Sequence, residues 1–202
     1  GPLKLAALQK ALTTIVKRHE ALRTTFVEVE GVPQQSISSA GPFELPVDDL
    51  SSNSLQEQAS KLTESLIRSA ETPFNLTRDL LLRAQLIRLS DQEHVLQLVM
   101  HHIASDGWSI RVLRKELSIL YAAYASGQTN LLASLSVQYA DFAQWQRQWL
   151  SGKALETQLT YWKEQLADIP PLLALPTDNS RPAQPTYRGE EFTFTVPPSL
   201  AD

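Results

Sequence analysis

The spacing of apolar and polar positions divides this chain into helical and extended segments. From Leu5 onward, apolar residues recur every three or four positions as far as residues 17–19, which are cations suited to the carboxyl end of a helix. Residues 54–70 repeat this spacing and stop before Pro73, and residues 108–125 repeat it again. The pattern therefore predicts three amphipathic helices in this part of the chain.

Alternating and continuous apolar stretches predict the strands. Residues 23–30 and 34–37 are rich in strand-forming residues and flank a glycine and proline turn, so they predict a hairpin. Residues 81–89 and 94–100, separated by four polar residues, form the clearest strand pair. A further short strand is predicted at residues 43–47.

Two later segments carry large apolar side chains at helical spacing, namely Tyr139, Phe142, Trp145 and Trp149, and then Leu155, Leu159, Trp162 and Leu166. We expect both stripes to be buried, because aromatic residues at this spacing more often pack in a core than bind a ligand. Asp141 is expected to cap or brace the first of these helices.

The composition of the chain changes after residue 168. Five prolines lie between residues 169 and 189, too many for a helix or a central strand, so this stretch is predicted to be a linker. Residues 190–196 then alternate as a strand does. Because a lone strand does not fold by itself, it must pair with the preceding domain or with a lobe outside this sequence.

Composition excludes several classes of function. With 202 residues, 43% of them hydrophobic, the chain can bury a substantial core in one or two domains. Its formal net charge of −4 comes from interspersed charges, which disfavours nucleic acid as a partner. The absence of cysteine excludes thiol redox chemistry and fits a cytoplasmic location. No apolar run approaches the roughly 20 residues of a membrane-spanning helix, so we expect no membrane partner.

Two histidines emerge where a buried strand ends. His101 and His102 follow the apolar run 95–100, and Asp106 and Gly107 complete a compact unit. The unperturbed pKa of histidine, about 6.5, lets this side chain exchange a proton near neutral pH. A strand end holds the ring in place and leaves its edge open to a substrate. The pattern therefore predicts a general base, with an anion to orient it and a glycine that permits a sharp turn.

Other interpretations of this unit are open. A histidine pair at a strand end often only packs, and His102 and Asp106, four residues apart, have the spacing of metal ligands on a helix. The strand before His102 and the glycine at position 107 argue against a helix there. A general base is therefore favoured over a metal site.

Polar residues also lie next to the predicted helix ends. Arg18 and His19 fit a solvated helix end better than a site, whereas for Arg23 a solvated position and a role in the site are equally supported. Asp106 and Ser109 are both candidate caps for the helix at residues 108–125.

Three stretches, in the same order, resemble the RHExLRTxF, HHxxxDG and YxDFAxW motifs of condensation domains in nonribosomal peptide synthetases. They are residues 18–26 (RHEALRTTF), 101–107 (HHIASDG) and 139–145 (YADFAQW). The flanking residues 73–76 and 175–178 resemble the family as well. The resemblance covers the whole chain, although the chain matches only about half of the family's domain.

The resemblance implies an α/β fold of the chloramphenicol acetyltransferase-like type, in which two similar lobes form a V around a reaction tunnel. Residues 1–168 then correspond to the amino-terminal lobe, a mixed sheet flanked by helices. Residues 169–189 correspond to the proline-rich crossover, and residues 190–202 to the first strand of the carboxyl-terminal lobe. We expect the first strand and helix of the lobe to precede residue 1. The isolated fragment is then expected to be inactive and to expose an apolar face.

The resemblance also assigns the catalytic role to the second histidine, His102. In the family, the amine of an acceptor aminoacyl thioester attacks the carbonyl of a donor acyl or peptidyl thioester. The histidine takes the proton of that amine or holds the amine in place, and both roles stay open here. Backbone N–H groups at the start of the following helix are candidates to face an oxyanion.

Supporting roles in the site follow from the same resemblance. An ion pair between Asp106 and Arg23 is expected to hold the loop and hence the ring of His102. Gly107 is expected to allow the tight turn, and His101 to pack or hydrogen-bond behind its neighbour. The candidate tunnel residues are Trp108 and Ser109.

The resemblance implies that substrates arrive on the 4′-phosphopantetheine arms of carrier proteins and that the chain itself binds no cofactor or metal. The expected partners are the upstream and downstream peptidyl carrier proteins, an adjoining adenylation domain and the carboxyl-terminal lobe. A non-catalytic module that docks carrier proteins, and a related acyltransferase or epimerisation domain, are the alternatives. Residues 106–109 and 138–150 favour condensation.

Overall fold

Five α-helices and five β-strands form along residues 1–184, 189 and 191–200, which are the residues that the structure, a computed structural model, describes. In chain order they are α1 (Leu5–Arg18), β1 (Thr24–Val29), β2 (Val32–Ile37), β3 (Val47–Asp49), α2 (Leu55–Glu71), β4 (Leu82–Arg88), β5 (His94–Met100), α3 (Gly107–Ala125), α4 (Tyr139–Trp149) and α5 (Gly152–Gln165). Short 3₁₀-helices lie at Glu20–Arg23 and Pro198–Leu200. The chain divides into two compact units, Gly1–Ala154 and Leu155–Asp202.

The central sheet of the first unit is mixed, as the fold class requires. Its strand order is β3–β4–β5, with β3 parallel to β4 and β4 antiparallel to β5. In this register Leu82 lies opposite Met100, so β5 ends beside the start of β4. The strand predicted at residues 43–47 lies instead at Val47–Asp49, where the chain pairs in parallel with β4. Phe43 and Leu45 instead bury their side chains in the core.

The hairpin of β1 and β2 forms a separate two-stranded sheet. Val29 pairs with Val32, so only Glu30 and Gly31 form the turn, and their φ angles are 52° and 79°. Two successive positive φ angles define the turn type whose twist matches the right-handed twist of the strands. The predicted hairpin is therefore confirmed. Its turn is shorter than expected, because residues 32 and 33 belong to β2 and not to the turn.

Helices α1 and α3 run antiparallel over one face of the sheet and form the core with it. At one end of the helix pair, Lys4 Nζ donates to the carbonyl of Ala125 at 2.6 Å; at the other, Arg18 Nε donates to Glu116 at 3.1 Å. The core side chains between these ends include Leu8, Leu12, Ile15, Val16, Leu82, Leu86, Leu113, Leu117 and Leu120. The carboxyl end of α1 is therefore held beside the middle of α3.

Helix ends follow the local chemistry of the sequence. Ser54 and Glu57 form a capping box at the start of α2, in which each side chain accepts a hydrogen bond from the other's backbone N–H. The Asp106 side chain caps α3. Beyond α3, Gly127 has a φ of 78°, the left-handed conformation that commonly ends a helix. None of the described helices is both long and apolar enough to cross a membrane.

The expectation that the aromatic stripe of α4 is buried is wrong. Tyr139, Phe142, Trp145 and Trp149 are 42–60% exposed, and their ring centroids follow one another at 5.9, 5.6 and 5.7 Å. These rings pack along the helix surface on each other. Helical spacing identifies one face of a helix, but it does not show what lies against that face. Asp141, in contrast, caps α4 through the backbone N–H of Gln138, as expected.

The second unit also differs from the expectation. Its described side chains after Leu155 are exposed, including the predicted buried stripe at positions 159, 162 and 166. Residues 191–196 form no strand, because no described strand pairs with them, and residue 190 lies outside the described residues. The assignment of residues 169–189 to a crossover and of residues 190–202 to a second lobe stays a prediction.

Candidate active site

The candidate site is the loop between β5 and α3, residues 101–106, called the site loop below. Its first residue is anchored to the neighbouring segment, because the backbone N–H of His101 donates to the carbonyl of Leu81 at 3.1 Å. The carbonyl of His101 accepts from the N–H of Ala104 and the hydroxyl of Ser105, at 3.0 and 3.1 Å. These bonds fold the loop into a tight turn that begins where β5 ends.

The imidazole of His101 braces the loop from within. Its Nδ1 accepts a hydrogen bond from the backbone N–H of Ile103 at 3.0 Å, and its ring meets Phe74 edge-on at 5.7 Å between centroids. Since Nδ1 is occupied as an acceptor, that nitrogen is not free to take a proton from a substrate. The ring of His101 therefore packs and hydrogen-bonds within the loop, and its supporting role in the site stays a prediction.

His102 occupies a different environment. Its side chain is exposed and lines an open cleft of about 530 Å³, and within the described part of the chain it makes no hydrogen bond and no ion pair. Residues of β5 and α3, mostly apolar, form the remaining walls: Leu96, Leu98, Met100, Ile110, Leu113, Arg114, Leu117 and Ser118. Asp106 and Gly107 line the same cleft. The imidazole can therefore meet a substrate without first breaking a contact.

Asp106 caps α3, which is one of the two roles expected for it, and it takes no part in the expected ion pair. Its carboxylate accepts from the hydroxyl of Ser109 at 2.7 Å and from the backbone N–H of Ser109 at 2.8 Å. The Ser109 hydroxyl and N–H hold the pKa of the Asp106 carboxyl below its usual value. The N–H of Ser109 is thus already occupied and does not face an oxyanion. Asp106 fixes where α3 begins, and so where the site loop ends.

Arg23 lies away from Asp106. Its guanidinium donates to Glu20 at 3.1 Å and to the carbonyl of Ser38, with 13% of the side chain exposed. No ion pair joins Arg23 and Asp106 among the described residues, because each has a nearer polar partner. Arg23 Nε is buried without a hydrogen-bond partner in this part of the chain. The expected ion pair is therefore corrected, and Arg23 is placed as a brace of the 3₁₀-helix.

Gly107 and the candidate tunnel residues also have specific surroundings. Gly107 does not have a positive φ, and a Cβ added there would meet nothing within 4 Å. The backbone at Gly107 therefore does not need the conformational freedom of glycine, and the supporting role expected for this residue stays a prediction. Trp108 and Ser109 line a second cavity of about 210 Å³, together with residues His19 and Tyr139, and do not line the cleft of His102. Their place in a tunnel stays a prediction.

Arg18 and His19, at the end of α1, also differ from the expectation. Arg18 Nε lies 3.1 Å from Glu116 Oε1, and His19 Nε2 lies 2.6 Å from Glu116 Oε2. Glu116 is only 11% exposed in its side chain, so Arg18 and His19 do not form a solvated helix end. One signal in the sequence could have revealed this cluster: Glu116 lies three residues after Leu113 and four before Leu120, on the apolar stripe of α3.

The alternative interpretation, a metal site formed by His102 and Asp106, is not supported by the positions of these two residues. The Asp106 carboxylate is engaged by Ser109, and His102 precedes the helix. In residues 1–184, 189 and 191–200, no three His, Asp or Glu side chains gather as metal ligands would.

Comparison with known proteins identifies the family of this chain. The model of the condensation domain matches residues 1–202. The chain is 44% identical over 197 residues to the chondramide synthase cmdD of Chondromyces crocatus, covering 97% of this chain and 5% of that protein. It is also 44% identical over 198 residues to the malpibaldin synthetase of Mortierella alpina, covering 97% of this chain and 4% of that protein. The chain belongs to the condensation domains of nonribosomal peptide synthetases.

Solved structures of this family have the same fold. The X-domain from teicoplanin biosynthesis superposes with a TM-score of 0.81 and 35% identity, over 93% of this chain and 41% of that one; the same X-domain has been solved in complex with OxyB. The epimerization domain of tyrocidine synthetase B superposes with a TM-score of 0.75 at 23% identity, over 89% of this chain and 40% of that one, which shows the fold alone. This condensation-domain chain therefore spans less than half of the structures that it matches.

Proposed function

We propose that this chain supplies the catalytic histidine of a condensation domain that forms an amide bond between two thioester-bound substrates. The observation that supports the proposal best is the state of His102. This imidazole lies at the end of β5 in an open cleft, on a loop braced at both ends, and has no competing partner among the described residues. A base that must meet an incoming amine needs this combination of fixed backbone and free ring.

The proposed reaction is an acyl transfer. The acceptor amine attacks the donor thioester carbonyl, a C–N bond forms and the C–S bond breaks. His102 accepts the proton that the amine loses, and the leaving thiolate of the donor arm takes that proton in turn. A thioester is already activated, so correct placement of the two arms supplies a large part of the acceleration. His102 can serve this reaction as a base or as a hydrogen-bond partner that positions the amine.

His102 is favoured over its neighbour on chemical grounds. His101 uses Nδ1 to accept from Ile103 and packs against Phe74, so moving its ring would open the site loop. His102 has no such duty. The two adjacent histidines therefore divide the work, one as a brace and the other as the reacting group.

The proposed partners follow from the family. The substrates are carried on the phosphopantetheine arms of an upstream and a downstream carrier protein, and an adenylation domain loads the acceptor. The chain spans 41% of the X-domain that it matches, and we assign most of the remainder to a carboxyl-terminal lobe that completes the tunnel over His102. The exposed aromatic rings of α4 support the expectation that the isolated chain exposes an apolar face.

The test uses the complete condensation domain with two loaded carrier proteins. We expect His102→Ala to lower the rate of dipeptide formation by at least a hundredfold, because general acid–base groups contribute about 10²–10⁴ in rate. The matched control is His94→Gln, which changes a histidine at the opposite end of the same strand and should keep the parent rate. The 202-residue chain alone should form no dipeptide.

Undiminished dipeptide formation by His102→Ala, with the control behaving as the parent, would remove this residue from its proposed role. Turnover by the 202-residue chain alone would contradict the need for a second lobe.

A second function is supported by one observation. The X-domain that resembles this chain at a TM-score of 0.82 was solved in complex with OxyB, so this fold also serves as a docking platform. If the chain is a docking module, the complete domain binds a loaded carrier but forms no dipeptide, and His102→Ala changes neither property. The experiment above therefore separates the two functions.

A further inference from the structure

The buried cluster of Arg18, His19 and Glu116 carries an inference that rests on the proposed role of His102. We propose that Glu116 is a positioning residue, which fixes helix α3 against α1 and thereby sets the geometry of the site loop. Glu116 does not line the cleft of His102, so it acts through the backbone and not on the substrate.

The packing of α1 against α3 does not depend on the cluster of Arg18, His19 and Glu116. Leucine, isoleucine and valine side chains of both helices already form a continuous apolar core. An apolar interface is non-directional and tolerates small shifts of one helix along another. A carboxylate held by two nitrogen donors, at 3.1 and 2.6 Å, allows one arrangement of the helices. We therefore assign to the cluster the register of the helix pair, which is a role attested for buried polar groups in other proteins.

The register of α3 bears directly on one end of the site loop. The helix begins at Gly107, and Glu116 follows it nine residues later on the same rigid element. Any shift of α3 along or around α1 would move Asp106, which is both the cap of this helix and the last residue of the site loop. Glu116 thus holds this end through the helix.

The other end of the loop is tied to the same cluster through backbone hydrogen bonds. The 3₁₀-helix that follows His19 contains Leu22, whose carbonyl accepts from the N–H of Leu81 at 2.8 Å. The carbonyl of Leu81 in turn accepts from the N–H of His101 at 3.1 Å. Two successive hydrogen bonds therefore connect the segment after the cluster to the residue before His102.

Gln138 reinforces the same joint from helix α4. Its side-chain amide donates to the carbonyl of Arg18 at 2.9 Å, and its side-chain oxygen accepts from the N–H of Glu20 at 3.2 Å. The joint therefore gathers the end of α1, the start of the 3₁₀-helix and the start of α4 around Glu116. Both ends of the site loop are therefore connected to the region around Glu116, one through helix α3 and the other through backbone hydrogen bonds.

The test compares Glu116→Gln with Glu64→Gln in the complete condensation domain with two loaded carriers. Glu116→Gln keeps the shape of the side chain but removes its charge, so that the hold on Arg18 and His19 weakens. Glu64→Gln alters an ion pair on the surface of α2, where both side chains are about 70% exposed, and is the matched control. We expect Glu116→Gln to lower kcat at least tenfold with KM for each carrier within twofold of the parent, and the control to match the parent in both.

A spectroscopic readout on the 202-residue chain is independent of turnover. In a ring ¹H–¹³C spectrum, the cross-peak of His102 is assigned by its loss in His102→Ala. We expect this cross-peak to move in Glu116→Gln and to stay in place in Glu64→Gln. If His102 has no catalytic part but Glu116 positions the loop, the cross-peak still moves while kcat does not change, so the two proposals fail separately.

A second pair of variants covers the case in which Glu116→Gln does not fold. His19→Gln retains an N–H donor toward Glu116, whereas His19→Leu retains none. We expect His19→Gln to keep the His102 cross-peak in place and kcat within threefold of the parent. In His19→Leu we expect the cross-peak to move and kcat to fall by more than threefold. An unmoved cross-peak in every folded variant would overturn the proposal. Equal kcat in His19→Gln and His19→Leu would also overturn it if His102→Ala has lowered the rate as expected.

Discussion

His19 and His102 belong to the same unit of this chain and have opposite surroundings. His19 lies against the carboxylate of Glu116 at 2.6 Å and is 26% exposed. His102 is exposed, lines a cleft of about 530 Å³ and has no polar partner in the described part of the chain. The sequence motifs present both residues in the same way, as a histidine next to charged or polar neighbours.

This difference shows how a fold divides one residue type between two tasks. A histidine bound to a buried carboxylate contributes to structure, because moving it would remove one of the two partners that hold Glu116 in the interior. A histidine that reacts with a substrate needs its ring free and its backbone fixed. In this chain the first kind of site is built from α1 and α3, and it supports the loop that presents the second.

The largest effect that would sharpen this comparison is expected from Glu116→Ala. Removing the carboxylate leaves Arg18 and His19 without their buried partner, which should lower the free energy of unfolding by about 3 kcal/mol. Urea denaturation of the 202-residue chain measures it. Glu64→Ala, which removes one member of an exposed pair, should cost less than about 1 kcal/mol. Equal losses in the two variants would mean that Glu116 is no more structural than a surface residue.

A smaller effect is expected from Asp106→Asn, and it should depend on pH. The pKa of the Asp106 carboxyl is lower in the folded chain than its usual value, because Ser109 donates to the ionised form. Its contribution to stability is therefore complete above the unfolded value of about 3.9, and it is lost as the pH falls through the folded value. Asparagine has no such term, so the difference in Tm between parent and variant should shrink below about pH 4.

Thermal melts of both proteins between pH 7 and pH 2 measure this difference. A Tm difference that stays the same over the whole range would contradict the assigned role of the Ser109 hydrogen bonds.

The smallest effect is expected from His102→Ala. Because this side chain has no hydrogen bond or ion pair among the described residues, its loss should change the free energy of unfolding by less than about 0.5 kcal/mol. Urea denaturation checks this value beside Glu116→Ala. A loss of several kcal/mol would show that His102 is a structural residue and would end the comparison.

Much of the secondary structure could be predicted, because each element has a local cause. The apolar period of α1, the capping residues of α2 and α3, and the alternation of β4 and β5 are properties of short stretches, and the structure has these elements within one or two residues of the predicted bounds. The position of His102 at the end of β5 was predictable for the same reason. A strand that ends at Met100 must present the next residues at its edge.

The partners of the charged residues were not predictable in this way. Arg23 was expected to pair with Asp106, but it pairs with Glu20, three residues away. Of the two roles expected for Asp106, only the local one, the helix cap through Ser109, is formed. Arg18 was expected to be solvated, but it meets Glu116 from 98 residues away. Sequence motifs identify which charged residues belong together in a region, but several pairings satisfy the same set of charges.

The order of apolar and polar residues alone therefore determined most of the helices and strands and the loop that carries the histidine pair, because these depend on neighbours within about a dozen positions. The α/β class with a mixed sheet came from the resemblance to the family. The tertiary structure alone decided which side chains are covered and which charges meet. It left the aromatic face of α4 exposed, buried Glu116 against Arg18 and His19, and kept His102 free of polar partners among the described residues. Burial and ion pairing depend on how α1, α3 and the sheet pack in space, and that packing brings together residues that lie far apart in the chain.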